Sequence, residues 1–165
     1  MIILGIDPGL QKTGYGVIRS VGNSLSFVAC GVLKTTTADE LPTRLAQLNA
    51  QLNEVIARYK PEDAAMEETF VNAGVQSALK LGQARGALLL TLSLAGLSVG
   101  EYAATQVKKS VVGAGRAEKE QVAHMVQLLL PGCGKHGLDA MDALAIAICH
   151  AHHRMSPQLA VGSRA

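Results

Sequence analysis

The chain has 165 residues, which fits one globular domain with a hydrophobic core of its own. Its formal net charge of +2 is too small to predict a nucleic-acid partner by itself. The longest apolar stretch, which begins at Gly86, is shorter than the roughly 18 residues that indicate a transmembrane helix. At the amino terminus, Asp7 interrupts the apolar run too early for a secretory signal. We therefore expect a cytoplasmic protein that does not associate with membranes.

Three cysteines at irregular spacing favour free thiols in a reducing compartment over a disulfide framework. The chain shows no internal repeat and no linker-like segment. We predict a single domain over residues 1–153, and the absence of an apolar period in residues 154–165 predicts a flexible tail.

Short apolar runs closed by turn residues predict three strands in the first 33 residues, at 2–6, 13–20 and 25–33. A leucine stripe at helical spacing between Pro42 and Pro61 then predicts a helix. The order of strands and helices favours an α/β fold, with a five-stranded mixed sheet flanked by helices. The remaining predicted elements, in order, are a strand at 64–68, a helix from about 75 to 95, a strand at 97–103, and helices at 105–112, 117–130 and from 138 onward.

Gly82 and Gly86 lie one turn apart in the predicted helix from 75 to 95, where glycine is unfavourable. Their position predicts close approach by another element. That element is either another part of the same chain or the same helix of a second subunit.

The segment "LDAMDALAIAIC", residues 138–149, is apolar on almost every side and yet contains Asp139 and Asp142. A helix that is apolar all round is expected to be buried, and buried carboxylates need partners. The two carboxylates lie about 60° apart on one face of that helix. The simpler explanation is that both carboxylates complement the partial positive charge at the amino end of the helix.

Two further carboxylates, Asp7 and Glu67, follow predicted strands, and binding sites in such sheets form beyond the carboxyl ends of the strands. Taken singly, Asp7 fits an ordinary Asp-Pro-Gly turn and Glu67 a solvated strand end. If all four acids share one environment, each pair ~5 Å apart costs roughly 3 kcal/mol in an effective dielectric near 20. Divalent cations would relieve this repulsion. Oxygen-only ligands favour Mg²⁺ or Mn²⁺, which can support hydrolysis of a nucleic-acid backbone.

Five separate blocks of the sequence carry a family resemblance: "GIDPGLQKTGYGV", "MEETF", "QSALKLGQARG", "EYAATQVKKSVVGAGRAEKEQV" and "DAMDALAIAICHAH". In order and spacing they resemble the RuvC family of Holliday junction resolvases. The resemblance covers about residues 1–153 and is specific, because several separate blocks agree over that length.

The resemblance implies a ribonuclease H-like fold and a homodimer that resolves four-way DNA junctions by paired symmetric nicks. It further implies Mg²⁺ as the cofactor, with two ions per subunit and Mn²⁺ able to substitute, and a branch-migration complex of RuvA and RuvB type proteins as partner. It assigns four acids as catalytic metal ligands: Asp7, Glu67, Asp139 and Asp142. Glu68 matches no family acid.

Lys108 and Lys119 match basic residues of the family's site region, with Lys119 assigned a catalytic as well as a DNA-binding role. The positive charge of both lysines suits the binding of phosphates or the stabilisation of charge in the transition state. The alternative is that both are solvated surface lysines. The loop "VVGAGRAEK" before Lys119 leads into a helix start, whose free N–H groups also suit a phosphate.

Phe70 lies three residues beyond Glu67, where the family places an aromatic side chain that stacks on an unpaired junction base. Packing beneath its own loop is the alternative. The family's loop often carries a basic residue that this chain lacks, and Lys80 and Arg85 on the next helix could contact phosphates instead. Both could equally be solvated helix residues.

Three other classes of function stay open at this level. A zinc site built from Cys133, His136, Cys149 and the following histidines lacks a regular second ligand pair. A kinase or ATPase with a similar aspartate-glycine turn needs two such domains, and this chain has the length of one. A ribonuclease H-like RNA-processing nuclease and a non-catalytic junction-binding module would share the same fold.

Overall fold

The computed structural model of the protein describes residues 1–68 and 74–155. Within them it confirms each strand and helix that the sequence predicts. The elements are β1 Ile2–Asp7, β2 Lys12–Val21, β3 Ser24–Lys34, α1 Leu41–Tyr59, β4 Asp63–Glu68, α2 Val75–Leu94, β5 Val99–Ala103, α3 Ala104–Val112, α4 Lys119–Leu129 and α5 Leu138–Met155.

The five strands form one mixed sheet in the order β3-β2-β1-β4-β5. The first three strands are an antiparallel meander, while β4 and β5 run parallel to β1. The predicted five-stranded mixed sheet is therefore confirmed. Because parallel strands end at the same edge, the carboxyl ends of β1, β4 and β5 lie together.

Each face of the sheet covers a separate hydrophobic core. Successive strand side chains point to opposite faces, so in β1 Ile3 faces one core and Leu4 the other. Helices α3, α4 and α5 cover the face of Ile3, and α1 and α2 cover the face of Leu4. The α5 helix is buried from Ala143 to Ala151, as its all-round apolar sequence predicts.

The α5 helix lies directly on β1 and β2 because the strands present glycine to it. A Cβ atom on Gly5 would lie only 2.2 Å from the Ala143 carbonyl oxygen and 2.8 Å from the Ala147 nitrogen. Only glycine leaves room for the helix backbone at this distance.

At the carboxyl end of the chain, α5 includes Arg154 and Met155, which the sequence analysis placed in the tail. The rest of that predicted tail, residues 156–165, lies outside the described residues. The division into one domain and a tail stays a prediction. Among the helices of the described ranges, none has both the length and the apolar character needed to cross a membrane.

Gly82 and Gly86 have open space where a side chain would lie, with no heavy atom of the described residues within 4 Å. The prediction that another part of the same chain packs against them is therefore wrong for the chain as described. The alternative, a second subunit, remains.

Candidate active site

Two acidic residues reach one edge of the sheet at the ends of neighbouring strands. Ile6 and Met66 are register partners in the parallel pairing of β1 and β4, so Asp7 and Glu67, one residue further on, lie side by side. Both line a cleft of about 180 Å³. The apolar walls of this cleft are Ala104 and Val107 from α3, Val122 from α4 and Ala145 from α5.

The third and fourth predicted acids lie in the first two turns of α5. Asp142 lines the same cleft as Asp7 and Glu67. Asp139, one turn earlier, is absent from the cleft wall, but its charge acts on Asp7 and on Asp142. Its backbone rests on Gly14 of β2. The fold thus brings all four acids into one electrostatic environment, three of them into one cleft.

Burial and mutual repulsion shift the ionisation of this cluster. Burial, as the largest cause, and the charges of Glu67, Asp142 and Asp139 together raise the pKa of Asp7 to about 7. Burial is also the main cause of the raised pKa values of Glu67 and Asp142. The cleft therefore favours keeping some of its carboxyl groups protonated unless a positive charge enters it.

Two lysines supply part of that positive charge. The Nζ atom of Lys119, the first residue of α4, lies 3.3 Å from Oδ2 of Asp142. This contact raises the pKa of Lys119 and offsets part of the rise in the pKa of Asp142. Lys108, on α3, lines the cleft and offsets part of the rise in the pKa values of Glu67 and Asp142. Both lysines are therefore placed to face an anionic ligand.

The donor set of the cleft fits a hard divalent cation in chemistry, because the acids offer only oxygen atoms and carry more negative charge than the lysines balance. In the described ranges, however, no three acidic, histidine or cysteine side chains come close enough together to hold one ion. Repulsion between carboxylates opposes such closeness in the absence of a cation.

The predicted DNA-contacting residues have separate locations. Phe70 lies outside the described residues. Lys80 is exposed on α2, while Arg85 forms an ion pair with Glu101 of β5. Of the predicted DNA contacts that the structure describes, Lys108 and Lys119 are the ones that line the cleft with the acids.

The histidines near the chain's carboxyl end are occupied by protein partners. His152 bonds the Ser110 hydroxyl at 3.0 Å, and His153 bonds the Cys149 carbonyl oxygen at 2.8 Å. His136 bonds the backbone oxygen of Cys133. No zinc-like cluster of these residues exists within the described part of the chain.

The sequence analysis did not single out Gly14 or Asp63. Gly14 and Gly16 lie two residues apart on β2, and small residues at that period on one strand face indicate close approach by a backbone. The spacing of these glycines could therefore have been recognised in the sequence. Asp63 follows Pro61 closely and looks like an ordinary exposed loop residue in the sequence, so no local pattern could reveal that it is buried.

Comparisons with known proteins agree with this architecture. The profile of the family described as "Crossover junction endodeoxyribonuclease RuvC" matches residues 3–150. The RuvC of Paramagnetospirillum magneticum is 58% identical, over 96% of this chain and 95% of its own. That of Ruegeria pomeroyi is 60% identical, over 93% and 92%. T. thermophilus RuvC, solved in complex with a Holliday junction substrate, superposes with a TM-score of 0.87 at 36% identity, covering 94% of this chain and 95% of its own.

The mixed sheet and its structural neighbours define a ribonuclease H-like fold of the resolvase type. The extent of the family match and the identity to its members then settle the family. The chain belongs to the RuvC family of crossover junction endodeoxyribonucleases.

Proposed function

We propose that this protein is a metal-dependent endonuclease that resolves Holliday junctions by paired symmetric nicks in DNA recombination and repair. The observation that carries the proposal is the cleft in which β1, β4 and α5 each place a carboxylate opposite two lysines. Relatives with more than half of their residues identical are crossover junction endodeoxyribonucleases. A relative of the same fold is solved with a Holliday junction substrate.

Asp7, Glu67, Asp139 and Asp142 are the proposed catalytic and metal-binding residues, with Mg²⁺ as the cofactor, two ions per subunit and Mn²⁺ able to substitute. Such ions supply an activated water and stabilise the leaving oxygen of a phosphodiester. Support comes from the oxygen-only donor set, which suits a hard cation, and from the raised pKa of Asp7, whose charge is opposed by burial and by three neighbouring carboxylates. The four acids would hold the cations next to the scissile phosphate.

Lys119 and Lys108 are proposed to contact the DNA backbone at the cleft, with Lys119 also acting in catalysis. Lys119 reaches Asp142, and its ammonium group is mostly exposed, so it can turn to a phosphate oxygen that enters the cleft. A fixed positive charge at that position stabilises the negative charge that develops in the transition state. Phe70, Lys80 and Arg85 are proposed as further DNA contacts.

The protein is proposed to act as a homodimer through α2. Four large apolar side chains on this helix, Val75, Leu79, Leu90 and Leu94, are 60% or more exposed. With Gly82 and Gly86 they recur every three or four residues, which forms one stripe along the helix. The two glycines leave open space that a second helix can enter. Two copies would supply the two cleavage sites that paired nicks require.

The remaining parts of the proposal concern the cellular setting. The protein acts in the cytoplasm as one nuclease domain over residues 1–153, with a branch-migration complex of RuvA and RuvB type proteins as its partner. Membership of the RuvC family is what supports this setting.

A nicking assay with three substrates tests the activity. In the presence of Mg²⁺ we expect paired nicks in a synthetic four-way junction, and no cleavage of linear duplex DNA or of an RNA–DNA hybrid. Cleavage of the hybrid alone would instead identify an RNA-processing nuclease. Junction binding without any cleavage would identify a non-catalytic module, and hydrolysis of ATP would identify a kinase-like or ATPase-like protein.

Substitution of single acids tests the site. Asp7→Asn and Asp139→Asn should abolish cleavage while a mobility-shift assay still detects junction binding, because each removes a metal-binding charge without removing the lysines. Glu68→Gln is the matched control, since Glu68 is exposed at the end of the same strand as Glu67. Unchanged cleavage in Asp7→Asn would contradict the assignment.

A further inference from the structure

A buried polar network lies at the end of β4 opposite to Glu67. Asp63, only 2% exposed, begins this strand and is in contact with α5. Its Oδ2 atom accepts a hydrogen bond from Nε2 of His150 at 2.9 Å and another from the guanidinium group of Arg154. The Tyr102 hydroxyl lies 2.8 Å from Nδ1 of the same histidine. The network therefore joins β4 and β5 to the last two turns of α5.

Each atom of this network has a complementary partner. A carboxylate only accepts hydrogen bonds, so Nε2 of His150 carries a proton and donates it. Oδ1 of Asp63 accepts the backbone N–H of Ala64 at 3.1 Å. Removing one partner would leave a buried group unpaired, which costs more than the hydrogen bond itself contributes. This contact therefore holds β4 and α5 in a fixed position relative to each other.

The same strand and helix carry two of the acids of the cleft at their other ends. Glu67 lies four residues after Asp63, about 13 Å along a strand. Asp142 lies eight residues before His150, about 12 Å along a helix. The strand and the helix run in opposite directions, and the two distances are nearly equal. A contact between Asp63 and His150 therefore brings Glu67 and Asp142 level with each other.

Electrostatics at the cleft acts against this alignment. The charge of Asp142 raises the pKa of Glu67, which shows that the two carboxylates repel each other. Where α5 crosses β1, small residues meet, with Ala143 and Ala147 against Gly5. Such a surface has few side-chain ridges that would resist sliding of the helix along its axis. The buried Leu144, Ile146 and Ile148 pack α5 into the core, and the polar contact further along α5 adds a directional constraint on its position.

We propose that Asp63 is a positioning residue for the catalytic cleft. Through His150 and Arg154 it fixes the position of α5 along the helix axis relative to β4, and so sets the separation of Asp142 from Glu67. This inference rests on the proposed metal-dependent function. Asp63 does not touch substrate or cation. Its effect reaches them through the position of α5.

Thermal unfolding at increasing Mg²⁺ concentration tests the inference without relying on activity, because a bound cation raises the melting temperature. In Asp63→Asn we expect a given rise in melting temperature to require about fivefold more Mg²⁺ than in the wild type, because the stabilisation depends on the ratio of ligand concentration to dissociation constant. Residues that orient metal ligands directly change metal affinity by roughly 10- to 100-fold, and Asp63 acts at a greater distance. In Arg154→Gln the required Mg²⁺ concentration should rise less. Arg154→Lys keeps the positive charge of the side chain and should require the same Mg²⁺ concentration as the wild type.

Thr91→Val is the matched control for a loss of stability alone. Thr91 is also buried, and its hydroxyl bonds Asn49 at 2.8 Å, but it joins α1 to α2 on the other face of the sheet. This variant should lower the melting temperature and leave the Mg²⁺ concentration dependence unchanged.

The outcomes separate the inference from the proposed function. If Asp63→Asn lowers the melting temperature but responds to Mg²⁺ like the wild type, the positioning role is wrong and the metal site stands. If the wild type shows no Mg²⁺-dependent stabilisation, or if Asp142→Asn retains all of it, the proposed metal site is wrong and the inference falls with it. Should Asp63→Asn fail to fold, Arg154→Gln decides, because that side chain is 48% exposed.

Discussion

The backbone of Asp139 rests directly on Gly14, since a Cβ atom on this glycine would lie 2.0 Å from the Asp139 carbonyl oxygen. Gly14 is in turn the register partner of Asp7 in the pairing of β1 with β2. One glycine therefore lies between the strand that carries one acid and the helix turn that carries another. The distance between these two parts of the cleft depends on the absence of a side chain at that position.

Substitution of this glycine is expected to disrupt the cleft. In Gly14→Ala the new methyl group would push the first turn of α5 away from β2, because the atom it meets belongs to the backbone. We expect a loss of about 1–3 kcal/mol in the free energy of unfolding. Cleavage of the junction should slow by roughly 100-fold, since small displacements of catalytic groups have large effects. Urea denaturation and single-turnover cleavage measure the two effects.

Gly137→Ala is the control for this prediction. Gly137 lies just before α5 and has open space where a side chain would lie. We expect Gly137→Ala to keep the stability and the cleavage rate of the wild type, while Gly14→Ala loses both. Comparable behaviour of the two variants would mean that the contact with Asp139 does not position the acid.

The ionisation of Asp7 predicts a pH-dependent stability of the metal-free protein. Its pKa is raised from 3.8 to about 7, so the folded state binds the proton more tightly than the unfolded state does. The resulting stabilisation is complete below pH 3.8 and is lost as the pH rises to about 7. Asp7→Asn, which stays neutral, should therefore be more stable than the wild type above pH 7, by on the order of 4 kcal/mol, and similar to it near pH 4.

Chemical denaturation with a metal chelator present, at one pH above 7 and one near 4, measures this difference. Glu54→Gln, on an exposed position of α1, is the control and should change stability equally at both values. A stability difference of Asp7→Asn that does not vary with pH would show that the carboxyl group of Asp7 is not forced towards its neutral form.

Removal of Lys119 is expected to slow cleavage more than it weakens binding. In Lys119→Ala the transition state loses a positive charge at the cleft, while most of the DNA surface is unchanged. We expect roughly a 100-fold lower single-turnover rate. The dissociation constant for the junction should rise only severalfold, because one phosphate contact is lost. Lys135→Ala, an exposed lysine outside the cleft lining, is the control. Equal losses of rate and affinity in Lys119→Ala would reduce its role to phosphate anchoring.

The exposed stripe on α2 predicts that a charge in it prevents dimerisation. Leu90→Glu places a carboxylate where an apolar side chain would be buried between two subunits, and burial of an unpaired charge is unfavourable. Sedimentation analysis should show dimers for the wild type and monomers for this variant. Leu128→Glu, an exposed leucine on α4, should remain dimeric. A wild type that is monomeric with and without junction DNA would contradict the dimer.

Much of the fold was accessible from local sequence patterns. Alternation of apolar residues located the strands, and the stripe from Leu45 to Tyr59 located α1, because side-chain burial repeats with the period of each backbone conformation. The end of α5 was placed two residues too early, since the histidine-rich end of that helix has no clear apolar period. Among the described residues no other element packs against Gly82 and Gly86, so the local pattern left the choice between an intrachain partner and a second subunit open: glycine indicates that an approach is possible and does not identify the approaching element.

The acids of the cleft were predicted from two kinds of local signal. Asp7 and Glu67 follow apolar strands, and Asp139 and Asp142 interrupt an apolar helix. Their predicted roles as metal ligands remain to be tested. The sequence could not show that Asp142 lines the cleft while Asp139 does not, since this depends on how α5 is rotated and seated on the sheet.

Local pattern alone was enough for the order of strands and helices, the burial of α5 and the identity of four candidate acids, because each depends on residues close together in the chain. Tertiary packing decided which acids share a cleft and why the pKa of Asp7 is raised, because the burial of Asp7 and its repulsion by the other acids arise between segments that are distant in sequence. It also revealed the contact between Asp63 and His150, 87 positions apart, which no local pattern can predict.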